Sequence, residues 1–307
     1  MKKTSTFLFS IRILCILSSV LLLQYACTPP YPSRGSLKTF ENFPSVHVDS
    51  RRVDVWLPEN FSPEEKYAVI YMHDGQNLFD PEFAFGGQIW AADEALQTLI
   101  SSRKVIPAII VGIWNSPKKI QEYLPMEAYD LLPDDLRMIL QSERTDRPIS
   151  DRYLKFIVHE LKPFIDKNFP TLPDRRNTFI IGSSLGGLIS VYALAVYPEI
   201  FGGAACLSTH WPLSLEHNEP GFSQPFIRWL GHNLPPPALH KIYFDFGTET
   251  LDERYPMHQQ QMDAVMTALG YPPDELWITR KFPGDAHNEA AWRRRVQIPM
   301  EFFLKSE

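Results

Sequence analysis

Thr178-Phe179-Ile180-Ile181-Gly182-Ser183-Ser184-Leu185-Gly186-Gly187-Leu188 joins a β-branched and aromatic run to a helix-compatible run that continues to Tyr197. Between the two stands one serine at the centre of Gly182-x-Ser184-x-Gly186. Strand, sharp turn and helix in that order are the setting of a nucleophile elbow. The serine occupies the tip, so its own backbone is strained, and the flanking positions come too close for side chains, which accounts for Gly182 and Gly186. The following helix aims its N-terminus at the serine and favours negative charge developing there. A bare G-x-S-x-G is common; its place between a buried-strand run and a helical run gives it meaning.

The 307 residues fit one large α/β domain and can bury a sizeable core. A formal charge of −6, with no block of Lys and Arg interleaved with aromatics, argues against a nucleic-acid partner. No internal repeat is found. The 27 prolines fall mostly at segment edges, as in a fold with many connections.

The N-terminus reads as a targeting segment, residues 1–26. Lys2 and Lys3 supply its positive end, and the eleven residues Ile13 to Leu23 supply an apolar stretch of about half a membrane span. Ala26-Cys27 follows and resembles the lipobox of bacterial lipoproteins, which makes Cys27 the expected lipidation site and first mature residue. Leu23 sits one position early for that pattern, and Gln24-Tyr25 are bulky, so the alternative is cleavage after Ala26 to give a soluble exported protein. The expected location is exported, as a periplasmic or outer-membrane lipoprotein tied to the membrane through Cys27. Residues 27–35, rich in proline, read as an extended tether to a single domain over 36–307. Of the three cysteines only Cys206 remains in that domain, inside an apolar run, so no disulfide is expected within it.

Arg52 to Leu57 alternates with period two and predicts a strand with one exposed face. Tyr67 to Met72 and Ile106 to Ile113 are continuous apolar runs, the mark of strands covered on both faces. Trp90 to Ile100 has a helical pattern, and 115–147 reads as an irregular insertion, too long for a simple connection. Ser150 is placed to cap a helix whose apolar face runs from Tyr153 to Ile165, kinked at Pro163. Strands at Ala204 to Leu207, Ile242 to Phe246 and Leu276 to Phe282 alternate with helices at Tyr255 to Leu269 and Glu289 to Leu304. This alternation predicts an α/β fold with a mostly parallel central sheet and helices on both faces. Ligands then bind beyond the C-terminal strand edges, where His73-Asp74-Gly75, Ser183-Ser184, Gly247-Thr248-Glu249 and Gly284-Asp285 all fall.

A serine hydroxyl needs a base, and the base needs an acid to fix its tautomer. With a nucleophile elbow these follow in the order serine, acid, histidine. Among the nine histidines, His287 alone follows the last strand in a turn-rich loop; His258, inside a helical pattern, reads as a surface residue. Glu249 and Asp252 both lie in the loop after Phe246, and the residues alone do not separate them. Asp245 falls within the strand and Asp285 reads as a loop-capping group. The oxyanion hole calls for two backbone N–H groups, Leu185 after the nucleophile and Gln76 beside the permissive Gly75. Trp90, Trp114, His210 and Trp211 are candidates to line a substrate pocket, with core packing as the alternative. No histidine or cysteine spacing suits a metal, and no cofactor is expected.

Several motifs in order make the resemblance specific. His73-Asp74-Gly75-Gln76-Asn77-Leu78-Phe79-Asp80, Gly112-Ile113-x-Asn115 with Glu122-Tyr123-x-Pro125, the Ser184 elbow, and Ala286-His287-Asn288-Glu289-x-x-Trp292 resemble the esterase D and enterochelin esterase branch of the α/β-hydrolases. The resemblance runs from about Val53 to the C-terminus. It implies Ser184 as nucleophile, His287 as base, Leu185 and Gln76 as oxyanion donors, and it favours Asp252 as the acid. Where the branch more often has Met, this chain has Leu185, a volume-neutral change. It further implies a serine esterase acting on carboxylic esters, feruloyl or acetyl groups on polysaccharides first. Siderophore trilactone esterase, acyltransferase and a non-catalytic binding protein of the same fold are the alternatives.

Overall fold

The computed structural model describes residues 31–144 and 146–305; the targeting segment and Cys27 lie outside them. Strands β1 (Ser36–Phe43) and β2 (Arg51–Leu57) pair antiparallel, ahead of β3 (Ala68–His73). Next come helix α1 (Ala92–Ser101), β4 (Ala108–Ile113) and three short helices, α2 (Lys119–Tyr123), α3 (Met126–Asp130) and α4 (Asp134–Arg144). Helices α5 (Ser150–Phe156) and α6 (Lys162–Asn168) precede β5 (Thr178–Ser183), α7 (Leu185–Val196) and β6 (Gly203–Leu207). The chain then forms α8 (Pro220–Asn233), β7 (Lys241–Phe246), α9 (Pro256–Ala268), β8 (Trp277–Lys281), α10 (Glu289–Arg295) and α11 (Gln297–Leu304).

The strands make one eight-stranded sheet in the order β1-β2-β4-β3-β5-β6-β7-β8, parallel from β4 onward. Its two faces bury separate apolar cores: Val55, Tyr71, Val111, Ile180 and Phe244 point into one, and Ile70, Met72, Ile110, Ile181 and Tyr243 into the other. Fully buried strands of this kind read as unbroken apolar runs because neither face meets water. Ser184 and the loops after β3, β4, β6, β7 and β8 share the C-terminal edge.

Several expectations change. Strand β2 has no open face: Val53, Val55 and Leu57 enter one core and Trp56 the other. Asp54, on the Trp56 side, is buried but accepts from Thr39 Oγ1 at 2.6 Å and Trp114 Nε1 at 2.7 Å, which satisfies its carboxylate. The stretch 115–147 is largely helical in three short pieces rather than irregular. Ser150 is the first residue of α5 and its hydroxyl accepts from Met126 N at 2.8 Å instead of capping α5. The closing helix is two, α10 and α11. His258 is buried in α9, between Ser223 Oγ at 2.7 Å and Asn218 Oδ1 at 3.0 Å. Residues 31–35 do not stand off as a tether: Ser33 Oγ and Arg34 N donate to Asp93, and Arg34 O accepts from Trp56 Nε1. The expected kink at Pro163 takes the form of a π-helical turn, Ile157–Leu161, which joins α5 to α6 where proline lacks its N–H. Among the described residues no helix is long and apolar enough to cross a membrane.

His73 ends β3 in the core under the elbow, its Nδ1 2.8 Å from Tyr153 Oη. Burial pushes its pKa down to about 3. Below the ordinary value near 6.5 the unfolded chain takes up a proton that the folded chain refuses, so this imidazole's share of stability is present above about 6.5 and is lost as the pH falls toward 3. Chemical denaturation of wild type and His73→Asn between pH 7 and 4 should show wild type losing stability relative to the variant. The expected rate is up to about 1.4 kcal/mol per pH unit below pH 6. Parallel curves would refute a neutral, buried imidazole.

Candidate active site

The elbow is built by close approach. Ser184 adopts φ 56° and ψ −121°, sterically costly for a residue with a side chain. Its N–H donates to Leu207 O at 2.9 Å and its carbonyl accepts from His210 N at 3.2 Å, which fixes the turn to the end of β6. A Cβ on Gly182 would stand 2.5 Å from Gly186 O and 2.8 Å from His73 Cδ2, so this position must be glycine. At Gly186 the expectation fails: a Cβ there would meet nothing nearer than His73 Cβ at 3.5 Å, an ordinary contact. It is the Gly186 carbonyl, which accepts from Ser190 Oγ at 2.7 Å, that fills the space beside Gly182.

The histidine and the acid arrive on two loops stitched together. Thr248 N and Glu249 N both donate to Asp285 O, and Gly284 N donates to Thr248 Oγ1 at 2.8 Å. His287 N donates to Thr250 Oγ1 at 2.9 Å, which holds the backbone of the histidine itself. Gly247 lets the loops meet: a Cβ on it would fall 2.0 Å from Asp285 O. In this frame Asp252 is fully buried and its Oδ1 lies 2.6 Å from His287 Nδ1. An ionised carboxylate only accepts, so Nδ1 carries the proton and Nε2 is left as the basic nitrogen. Glu249 is exposed, engaged through its backbone beside Ala286, and is not the partner of His287. Asp245 accepts from Ser208 N and Tyr243 Oη, the structural bonds expected of a strand carboxylate.

The two oxyanion candidates lie in the turns that follow β5 and β3. Leu185 offers the first amide of α7, for which a helix has no carbonyl of its own. Gln76 lies in the turn after β3, where Gly75 packs so closely on β4 that a Cβ would meet Gly112 C at 2.7 Å. The turn starts at Asp74, left-handed at φ 55°, whose carboxylate is held by Lys119 Nζ at 2.7 Å and Asn115 Nδ2 at 2.6 Å. Below it Glu122 pairs with buried Arg51 through two bonds of 2.6 and 2.9 Å, and Tyr123 Oη accepts from Asp74 N. Among the described residues the Ser184 hydroxyl makes no hydrogen bond to His287, a contact that in such sites often tightens only around substrate.

The four pocket candidates separate. Trp90 packs in the core against Trp292, and Trp211 lies buried against Phe244 with its Nε1 donating to Gln259 Oε1. His210 is buried with Nδ1 2.9 Å from Tyr255 Oη, whose ring in turn packs edge-on against His287. Trp114 alone is part-exposed. Together with Arg52, Phe83 and Gln76 it lines a cavity of about 150 Å³ beside the oxyanion turn. The Arg52 guanidinium lies 4.4 Å from the Trp114 ring centre. A larger depression of about 690 Å³, lined by Phe179, Gly202 and Lys241, is at the opposite end of the strands and remote from Ser184.

Residues without a role in the sequence reading also converge here. Glu289 accepts from Asn77 Nδ2 at 3.3 Å, and burial raises its pKa, with Asp74 adding to the rise and Lys119 and His287 opposing it. Its place in Ala286-His287-Asn288-Glu289 was the available signal. Ser208, just after β6, donates to the acid itself and Arg295 of α10 donates to Ser208, and nothing in their local sequence announces them.

The sequence profile of the Esterase family, described as Putative esterase, matches residues 47–298. The chain belongs to this family. It is 28% identical over 164 residues to the ferri-bacillibactin esterase BesA of Bacillus subtilis, covering 50% of this chain and 52% of that protein. It is 24% identical over 259 residues to an endo-1,4-beta-xylanase/feruloyl esterase of Xylanibacter ruminicola, covering 82% of this chain and 29% of that protein. The chain thus spans 60%, 58% and 52% of the length of three Bacillus subtilis relatives. A ferulic acid esterase structure superposes with a TM-score of 0.61 at 18% identity, over 88% of this chain and 98% of that one. The enterobactin esterase FES of Shigella flexneri gives 0.59 at 19% identity, over 87% and 58%. Likeness at these identities establishes the α/β-hydrolase fold for this Esterase-family chain.

The Asp252 and Glu249 assignments differ in a measurable way. Asp252→Asn should lower kcat by about three to four orders of magnitude, because the amide selects the wrong tautomer of His287. Glu249→Gln should stay within about threefold of wild type, as befits an exposed position. Equal losses in the two variants would remove Asp252 from the triad.

Proposed function

We propose that the chain is a serine carboxylic-ester hydrolase working through an acyl-enzyme. The observation that carries this reading is the 2.6 Å contact of buried Asp252 with His287 Nδ1, on the strand edge where Ser184 is held in a strained turn. Ser184 Oγ attacks the ester carbonyl while His287 Nε2 takes its proton, and the carbonyl electrons move onto the oxygen facing Leu185 N and Gln76 N. Collapse expels the alkoxide, which receives the proton from His287. Water, deprotonated in turn by His287, attacks the acyl-enzyme and frees the acid and Ser184.

Esters of aromatic or acetic acids on polysaccharides are the favoured substrates. Support comes from the feruloyl esterase relative, whose match covers most of this chain, and from the Trp114 cavity, since a volume of about 150 Å³ holds a single aromatic ring elsewhere. A siderophore trilactone is the second reading, supported by BesA and FES. The chain is further proposed to be exported and anchored by lipid on Cys27, a reading supported by Lys2 and Lys3, the apolar stretch Ile13 to Leu23 and the Ala26-Cys27 junction.

A fluorophosphonate probe should label wild type and leave Ser184→Ala unlabelled, with kcat of the variant down by at least three orders of magnitude and its melting temperature preserved. Initial rates on acetyl, feruloyl and catecholate-lactone esters should then rank feruloyl or acetyl first; a preference for the lactone selects the second reading, and an unlabelled wild type refutes the esterase. Cys27→Ser, followed by fractionation of the producing bacterium, should move the protein from membrane to soluble fraction. Unchanged partition would exclude the anchor.

A further inference from the structure

Asp252 has two oxygens, and only Oδ1 is used by His287. Oδ2 accepts from Gly247 N and from Ser208 Oγ, at 2.5 and 2.6 Å. Ser208 stands directly after β6 with its backbone left-handed at φ 44°, an unfavourable conformation for a non-glycine residue. Among the described residues its hydroxyl meets three partners. Trp292 Nε1 approaches at 3.0 Å and Arg295 Nη2 at 2.9 Å, both from α10. Indole and guanidinium groups only donate, so the two of them occupy both lone pairs of the Ser208 oxygen. The one hydroxyl proton then has a single place to go, Asp252 Oδ2.

We infer that Ser208 is a positioning residue for catalysis: locked by Trp292 and Arg295 into donating to Asp252 Oδ2, it turns the carboxylate so that Oδ1 meets His287. The inference rests on the esterase reading above. Arg295 is itself fully buried, with Asp245 Oδ1 at 3.4 Å and Asp285 Oδ2 at 3.7 Å supplying negative charge. Ser208 N adds a bond to Asp245 Oδ1 at 3.2 Å, which ties the whole assembly to β7. One helix, α10, therefore supplies both locking donors and follows His287 by two residues, so histidine and lock move together. The other charged or titratable groups around His287 are Tyr255 and His210 beneath the ring, and Glu289, Asp74 and Lys119 on the β3 side. Glu289, Asp74 and Lys119 make no hydrogen bond to Asp252 Oδ2 among the described residues.

The test uses two variants of the full chain that lose the same hydroxyl with opposite effects on the backbone. Ser208→Ala keeps the positive-φ cost, whereas Ser208→Gly relieves it. Both should lower kcat on an aryl acetate by about tenfold to a hundredfold, the range for losing a hydrogen bond to a charged group, with KM within threefold. In both, the far-downfield proton resonance of His287 Nδ1–H should shift upfield or broaden. A purely structural Ser208 predicts instead that activity follows melting temperature, with the glycine variant the better enzyme. That result, kcat within threefold of wild type, or an unmoved resonance would each overturn the inference. The resonance is read without substrate, so it tests the Asp252 contact even in a chain that hydrolyses no ester, and a failed esterase reading is told apart by the unlabelled wild type.

Discussion

A chain that leaves a buried strand and enters a buried helix in the space of one residue has almost no conformational choice, and Ser184 sits at that residue. Left-handed backbone there costs on the order of 1–3 kcal/mol, which the surroundings must offset. They do so by enclosure. Helix α7 is buried along nearly its whole length, Gly182 has Gly186 O against its Cα, and the end of β6 grips Ser184 through its own N–H and carbonyl. The turn that carries the hydroxyl is packed and hydrogen-bonded from beneath. Side chains on a rigid edge are also where small errors in geometry are least tolerated in catalysis.

The second half of the site is assembled by contacts far apart in sequence. His287 follows Ser184 by about a hundred positions, yet its loop is pinned to the loop after β7 by backbone bonds to Asp285 and by the hydroxyls of Thr248 and Thr250. The pinning matters more than any one bond. It sets Asp252, Glu249 and His287 on a common frame, in which only the buried carboxylate faces the imidazole. The β3 turn is braced in the same way, with Asp74 held by Lys119 and Asn115 and supported from below by the Arg51–Glu122 pair. The motif residues Asn115, Glu122 and Tyr123 are the parts of this brace.

Unbroken apolar runs made β3, β4 and β5 legible, because a strand covered on both faces has no alternative pattern to show. The elbow and His287 were legible for a different reason: their roles depend on glycine, turn residues and chain order, all of them local. Strand β2 misled because its alternation separates two cores, not core from water. The pieces of 115–147 are helices of five to eleven residues, the shortest barely more than one turn, too short for a 3.6-residue period to stand out. His258 looked like a surface residue since its partners Ser223 and Asn218 belong to α8 and the loop before it. Trp90 and Trp211 were ambiguous in principle, because an aromatic near a strand end is equally at home in the core or in a pocket. Asp252 and Glu249 are three residues apart with similar chemistry, and only tertiary burial distinguishes them.

Cys206 carries one more consequence. It is the free thiol of the described residues, sealed inside β6 beneath α7, and burial raises its pKa well above the ordinary thiol value. A thiol kept protonated and out of reach is a poor target for oxidants and for disulfide exchange. The described domain contains no cross-link that must form before its sheet can close. Folding of the described domain should therefore be indifferent to the electron balance of the compartment or host that makes it, and a reductant added during purification should leave its architecture untouched.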